Sequence, residues 1–570
     1  MRRHLQQVRG QLVGFALLSA FATAVYLLTM DTSVSWWDCG EFIATGWLLQ
    51  VGHPPGAPTY QLLSHLFMLL SFGNPMLVAP LSNALSALAG GLTVGVLFLT
   101  LGQLGCRRMA AAVGALCYLF CDTAWFSAVE SEVYSLAMLF CALDVWIALR
   151  YRSKGDTRLI VLLALLLGLG VGVHLMTLLT VPALLLIVLP TLVRRSRWGW
   201  VVPLAALFFC LGLTTYLIVP IRAAANPPVN EGNPSTPEAF ARYLKRDQYA
   251  KAPLYPRMWR ERDAANWQDW TYGLDGVAGN VVYGVNYQLG YMYGRYLMYN
   301  FIGRENLKSH RVVLFVLPFL LGLWGLLRHR RRSRWAFWVV MLLFLFGGAV
   351  LNLYLNHPCY EPRERDYAYV LSFYAFALWI GVGADSVNLR RWRWLLLLAP
   401  LTLALGNWSD HNRHGSHSVH DIALNHLQSC DNGALLVTLG DNDTFPLWYL
   451  QQVERRRTDV EVCNINLNGY MSTMALIESS LSQRPVYFSQ YFADRFSRFY
   501  EGRLRCEGFC WRLLPEGGEA ADAAPLLRHI NDSIEWHVTD GEYLDLVSTR
   551  FMATWERNLA SMGLDPRTGR

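Results

Sequence analysis

The chain has 570 residues, 53% of them hydrophobic and only 16% charged, with a formal net charge of +7. Soluble domains carry about 25% charged residues, so the deficit and the repeated apolar runs exclude an ordinary soluble protein and indicate a polytopic membrane protein. The positive residues fall in short clusters between apolar runs, where they orient helices, and no RNA- or DNA-binding motif accompanies them, which argues against a nucleic-acid partner.

Apolar runs occur near 11–30, 79–104, 110–121, 134–149, 159–173, 175–193, 199–220, 311–327, 335–355, 368–386 and 394–407. The shorter ones need flanking residues to reach the roughly 20 that a span requires. The first run has no small-residue cleavage site and reads as a retained helix, not a cleaved signal peptide. Basic clusters come at alternate gaps: Arg2 and Arg3, Arg107 and Arg108, Arg150 to Arg158, Arg194 to Arg197, Arg328 to Arg334, and Arg390 to Arg393. That alternation predicts eleven transmembrane helices with the N-terminus inside and the C-terminus outside. The weakest step is the very short outer turn around Gly172 and His174. The outer segments are then about 31–78, 122–133, 221–310, 356–367 and the tail from 408.

The expected organisation is a membrane domain over 1–407 and an extracytoplasmic α/β domain over 408–570. In the tail, GALLVTLGDNDTFPLWYLQQVE reads as a strand, a tight polar turn and a helix, and 460–467 and 484–492 read as further strands. The His-rich stretch 409–420 would link the two. Eleven cysteines are scattered without zinc-site spacing. Cys117, Cys141 and Cys210 lie in apolar runs as small core residues. Cys506 and Cys510 are close enough in sequence to raise a disulfide in an oxidising compartment, though spacing alone does not supply the geometry.

The polar motifs gather on the expected outer side. DTSVSWWDCGEFIATGWLLQVGHPPGAP (31–58) sets Asp38 and Glu41 three residues apart among Trp36, Trp37 and Trp47. Acids this close to hydrocarbon are costly and suggest chemistry at a membrane surface. Either could deprotonate a hydroxyl nucleophile, with burial beside tryptophan tuning its pKa. The bland alternative is that Asp38 caps a short helix beginning near Gly40. His53, in a backbone shaped by three prolines, either binds an acceptor or phosphate or packs on its turn. In ESEVYSL (130–136), Glu130 and Tyr134 would share a helix face while Glu132 points elsewhere, so one acid positions a substrate or both favour the helix start. EPRERDYAY (361–369) offers Arg363 and Arg365 for bidentate phosphate contacts, with Glu361, Glu364 and Asp366 as holders; the alternative is a solvated salt-bridged loop. Arg222 is a further phosphate candidate with a competing snorkelling role. Asp441 and Asp443 form an Asp-x-Asp pair that binds metal and nucleotide sugar in some soluble transferases, yet a strand-to-helix turn also needs such residues.

No serine elbow, P-loop or HExxH is present. A lipid or solute transporter would place polar groups near the bilayer midplane on broken helices. This chain places its own in outer loops, where a site can form at the membrane edge.

DCGEFIATGWLLQVGHPPGAP, PIRAAANPP, EPRERDYAY and GDNDTFPLWYLQQVE together resemble glycosyltransferase family 117, bacterial relatives of the eukaryotic O-mannosyltransferase called transmembrane protein 260. The resemblance covers most of 11–470. It implies a C-type glycosyltransferase fold in a bacterial inner membrane, with its site on the periplasmic face and a polyprenyl-phosphate sugar as donor. On that reading Asp38 is the base with Glu41 beside it, and His53, Glu130, Glu132 and Tyr134 position sugar or acceptor. Arg222, Arg363 and Arg365 would receive the phosphate, and no metal or other cofactor is required. The sugar, expected to be mannose, would pass with inversion to Ser or Thr of an extracytoplasmic protein. A glycolipid or polysaccharide acceptor remains open.

Overall fold

The computed structural model describes residues 2–194, 198–249, 251–260, 264–304, 316–359, 361, 363–388, 390–516, 537–538 and 546–561. Seven helices among them are long and apolar enough to cross a membrane, and an eighth if one bent pair counts as a single span. All eleven apolar runs contain helix where they are described; residues 311–315 of the eighth run, and Arg195 and Arg197 of one basic cluster, lie outside the described residues. The helices that fall short, Arg158–Val171, Leu317–Arg332 and Leu398–His411, have 14, 16 and 14 residues.

The helices needed below are α1 (Arg2–Thr29), α2 (Cys39–Leu48), α3 (Pro58–Met68), α4 (Val78–Gln103), α5 (Arg108–Leu119), α6 (Asp122–Ala128) and α7 (Val133–Lys154). Helices in lipid lack a hydrophobic drive toward one another, so close association relies on small residues that let backbones approach. On α4, a side chain at Gly91 would come within 2.7 Å of the Thr23 backbone of α1. Helices α5 and α6 bend by 66° at the break formed by Phe120 and Cys121, just before Asp122. The segment 221–310, expected as a loop, is largely helical: Gly276–Tyr283 runs through a π-helical stretch, Gly284–Gly294, into Arg295–Ile302. Its tyrosines at 283, 287 and 291 stack on one another, because spacing near four residues keeps rings on one face.

The tail builds a five-stranded sheet from β1 (Leu435–Thr438), β2 (Glu461–Asn464), β3 (Val486–Ser489), β4 (Leu504–Glu507) and β5 (Cys510–Leu513), in the order β2-β1-β3-β5-β4. The first three are parallel, with Leu435 beside Glu461 and Val486; the last two add antiparallel. The β4–β5 hairpin was not foreseen. It also removes the basis for a disulfide: Cys506 lies opposite Trp511 and Cys510 opposite Glu507, which puts the two thiols on opposite faces of the sheet.

Strand β1 is buried on both faces. Leu435 and Val437 join one apolar cluster with Ile477, Phe488 and Phe492. Leu436 joins another, which contains Val34, Trp36, Cys39 and Ile43 from the first outer segment as well as Ile422, Leu450 and Trp555 from the tail. The core of the α/β unit is therefore shared with the start of α2. Trp36 stacks on Phe551 at 5.1 Å and donates from Nε1 to Ser548 Oγ at 2.8 Å. Gly40 makes the approach feasible, since a side chain there would lie 2.5 Å from the Phe445 carbonyl oxygen.

Candidate active site at the junction of helix bundle and tail

Helix α2 begins at Cys39, with Asp38 in the N-cap position but making no capping hydrogen bond. The capping alternative is not realised, and the carboxylate is left for other partners. Just before it, Trp37 is held in the left-handed region at φ 62°, a conformation that costs a non-glycine residue about 1–3 kcal/mol. The tail holds it there: Trp37 N–H donates to Asn442 Oδ1 at 2.7 Å.

From Asp38 the site extends in two directions. On one side lies Arg363, its Nη2 3.6 Å from Asp38 Oδ2. The guanidinium is sandwiched between the rings of Trp37 and Tyr367, at 4.6 and 4.3 Å, and Nε donates to the Tyr367 hydroxyl. Burial opposes its charge, but Tyr367, Asp38 and Glu132 more than compensate and hold its pKa well above the usual value. Tyr134 continues the aromatic wall, 4.8 Å from Tyr367 and 5.3 Å from His174. Glu132 uses one oxygen to cap α7 at Val133 N–H, 3.2 Å. Burial, then repulsion from Asp38, raises its pKa well above the carboxylate range.

On the other side lie Glu41 and His53. Glu41 is 1% exposed. One oxygen accepts from the His53 backbone N–H at 2.5 Å and the other meets His53 Nδ1 at 2.6 Å. Burial works against an imidazolium, but Glu41 prevails and holds the His53 pKa well above its ordinary value. The His-Pro-Pro-Gly turn closes with Gly56 N–H on His53 C=O, and Tyr243 OH donates to the Gly52 carbonyl at 2.7 Å. Ligand atoms of Asp38, Glu41 and His53 all lie within 4.8 Å of one another, close enough to share one divalent ion.

Two further acids belong here that the sequence analysis did not assign to this place. Glu231 is 6% exposed, and its segment is stapled to Val51: Val51 N–H donates to Val229 C=O and Glu231 N–H to Val51 C=O, each at 3.1 Å. Burial and the charge of Glu41 raise its pKa well above the ordinary range. The signal available was a single acid after Pro-Pro-Val in an otherwise uncharged stretch, 223–230. Asp441 follows β1 in the turn that grips Trp37. Asp441 itself is exposed; partial desolvation at the cleft wall and repulsion from Asp38 raise its pKa to about 6.

The Asp-x-Asp pair therefore splits. Asp443 is a turn residue, accepting from Leu439 N–H, Gly440 N–H and Ser489 Oγ, and its partner Asp441 faces the site. Above the carboxyl ends of β1 and β2, on the same turn, lies a cavity of about 540 Å³ lined by Gly440, Ile465, Asn466, Tyr470, Arg495 and Phe496.

Other expected site residues are occupied elsewhere. Glu130 forms a buried ion pair with Arg413, 2.6 Å. Arg222 donates to the carbonyls of Leu49 and Leu48 at the end of α2, at 2.5 and 3.1 Å. Arg365 is bound by Glu361 at 2.5 Å and by the Tyr367 hydroxyl at 2.6 Å. Burial would raise Glu361, but His357 and Arg365 hold it near 2. Glu364 goes to Arg295 and Asp366 to Thr123, so in EPRERDY only Arg363 turns toward Asp38.

These observations define a multi-spanning membrane protein with an acid–arginine cleft where its helices meet an α/β unit. Two segments of the chain are similar to TMEM260 proteins. Residues 38–197 match the family model described as protein O-mannosyl-transferase TMEM260 N-terminal domain, and residues 419–475 match TMEM260-associated domain 2. Both matched segments contribute to the cleft, Asp38 to one and Asp441 to the other.

Two curated relatives are the protein O-mannosyl-transferase TMEM260 of Mus musculus and that of Dictyostelium discoideum. The first is 24% identical over 488 residues, covering 81% of this chain and 64% of the relative. The second is 22% identical over 533 residues, covering 84% and 61%. The chain thus spans under two thirds of either relative's length. Among solved structures, ArnT from Cupriavidus metallidurans bound to undecaprenyl phosphate is 15% identical with a TM-score of 0.41, covering 87% of this chain and 97% of that one. The Archaeoglobus fulgidus oligosaccharyltransferase AglB in complex with an inhibitory peptide and a dolichol-phosphate is 11% identical with a TM-score of 0.44, covering 86% and 70%.

Proposed function

We propose that this chain is an integral-membrane glycosyltransferase of the C type. It moves a sugar, mannose by the names of its relatives, from a polyprenyl phosphate to hydroxyl groups of extracytoplasmic protein, and the cleft faces away from the cytoplasm. The observation that carries this reading is Asp38: an uncapped carboxylate 3.6 Å from a guanidinium clamped between two aromatic rings. A base and a phosphate-binding cation side by side are what such a transfer needs.

In the proposed step the acceptor hydroxyl gives its proton to Asp38 while its oxygen bonds to the anomeric carbon. The bond from that carbon to the phosphate oxygen breaks, and the polyprenyl phosphate leaves with the electron pair. Direct displacement inverts the anomeric centre. Arg363 faces the developing phosphate charge, and a fixed cation of this kind acts without reorganising during the reaction. The Arg363-bearing side suits the lipid donor. The cavity over β1 and β2 suits the acceptor polypeptide, since its Gly440 adjoins Asp441.

Membranes carrying the wild type or Asp38→Asn, supplied with radiolabelled polyprenyl-phosphate mannose, test the reading. Label should appear on extracytoplasmic protein with the wild type and vanish with the variant. Label on lipid or polysaccharide would keep the chemistry and change the acceptor; no Asp38-dependent transfer from any polyprenyl-linked sugar would overturn it.

A further inference from the structure

We propose that Asp38, Glu41 and His53 bind one divalent cation, with Glu231 as a buried acid beside them, against the expectation that the arginines alone balance the donor phosphate. Two observations converge. First, ligands of one ion at about 2.0–2.4 Å can stand no farther apart than roughly twice that distance. The donor atoms of Asp38, Glu41 and His53 meet that limit, all lying within 4.8 Å of one another. Second, both carboxylate oxygens of Glu231 are buried and lack a hydrogen-bond partner among the described residues. An ionised carboxylate so placed costs several kcal/mol unless a cation joins it.

The backbone sets Glu231 beside the cluster. Its segment is paired with Val51 through two backbone hydrogen bonds, and Glu41 Oε1 lies against Gly52. Glu41 and Glu231 thus approach the same short stretch of chain. Arg363 does not discharge the surplus, because it is already committed to Asp38, Trp37 and Tyr367. His53 contributes through its geometry: Nδ1 is fixed by Glu41, and Nε2 makes no hydrogen bond among the described residues. A carboxylate orienting one ring nitrogen while the other meets a metal is a recurrent second-shell arrangement. Two carboxylates and one imidazole, with a third carboxylate nearby, suit a hard or borderline ion such as Mn²⁺ or Mg²⁺. An ion here would neighbour Asp38 and share a phosphate with Arg363.

Cation binding does not depend on the sugar chemistry, so it can be read without any transfer assay. The full chain in detergent, stripped with EDTA, would be titrated with Mn²⁺ and followed by electron paramagnetic resonance. One Mn²⁺ per chain is expected, with a nitrogen coupling that disappears in His53→Gln. Glu231→Gln should weaken binding roughly tenfold to hundredfold, and Asp459→Asn, on the far edge of the tail, should not. If Glu231→Gln does not accumulate, Glu231→Asp serves, with a smaller loss. No stoichiometric Mn²⁺, binding without the nitrogen coupling, or binding indifferent to Glu231 would each overturn the proposal.

Discussion

Glu130 and Glu231 are both buried acids of the outer segments, 3% and 6% exposed, yet they stand in opposite situations. Glu130 meets Arg413 at 2.6 Å, and Arg413 N–H also donates to the Thr29 carbonyl at the end of α1. Nearby, Asp122 is held by Arg304 at 3.0 Å and lies against His411 at 3.4 Å. That side is a strut, tying the tail's first residues to the bundle with its charges balanced. The side with Asp38, Glu41, His53, Glu132, Glu231 and Asp441 holds five acids against Arg363 and one histidine. Burial alone does not mark a functional acid; burial without a balancing partner does.

The largest way to break this comparison is at Asp38. Asp38→Asn should lower sugar transfer by about 10²–10⁴-fold, the range of a lost general base, while melting in detergent barely changes. Equal losses of activity and stability would put Asp38 on the strut's side. The reverse should hold for Arg413→Met. Removing the guanidinium that pairs with buried Glu130 is expected to cost about 3–5 kcal/mol of stability. In metal-free detergent Glu231→Gln should leave stability nearly unchanged, because it replaces a carboxyl whose oxygens have no hydrogen-bond partner among the described residues. Thermal melts of the two variants side by side decide whether the contrast is real.

A smaller effect sharpens the role of the tail. Asn442→Ala removes the hydrogen bond that holds Trp37 and should cost about 1 kcal/mol, with a proportionally larger fall in transfer as Trp37 relaxes and Arg363 loses one ring. Equal falls in both would make the contact purely structural.

The smallest effect concerns pH. In the tail, His420 lies between Asp421, 3.3 Å, and Glu454, 3.1 Å; His537 shares Asp421, and Arg456 acts on Glu454. Burial opposes the His420 charge, but its two carboxylates win and raise its pKa from 6.5 to about 9. A raised folded-state pKa means stabilisation that is complete below about 6.5 and lost as pH climbs through about 9. Asp421 and Glu454 shift downward, so their share is present at neutral pH and lost in acid. His420→Gln should flatten melting temperature against pH across the alkaline window and, because His420 also holds Asp421 and Glu454 down, weaken the fall in acid.

Much of this was legible in the chain itself. Hydropathy and alternating arginine clusters marked the helical membrane architecture, because lipid forces every span to satisfy its backbone internally. β1 and the turn after it were legible because a short apolar run followed by Gly-Asp-Asn-Asp is a local signal. Asp38 stood out for a similar reason, an acid among tryptophans at a membrane edge. What stayed hidden were the partners. Whether Glu130 or Glu132 approaches Asp38 depended on Arg413, 283 residues away, and whether Asp441 or Asp443 faces the site depended on how β1 docks against α2. Arg222 and Arg365 looked like phosphate ligands until helix-end carbonyls and Glu361 claimed them. Local pattern determines where charge sits along a chain. Only tertiary packing decides which charges meet, because Coulomb interactions act through space and burial sets their strength.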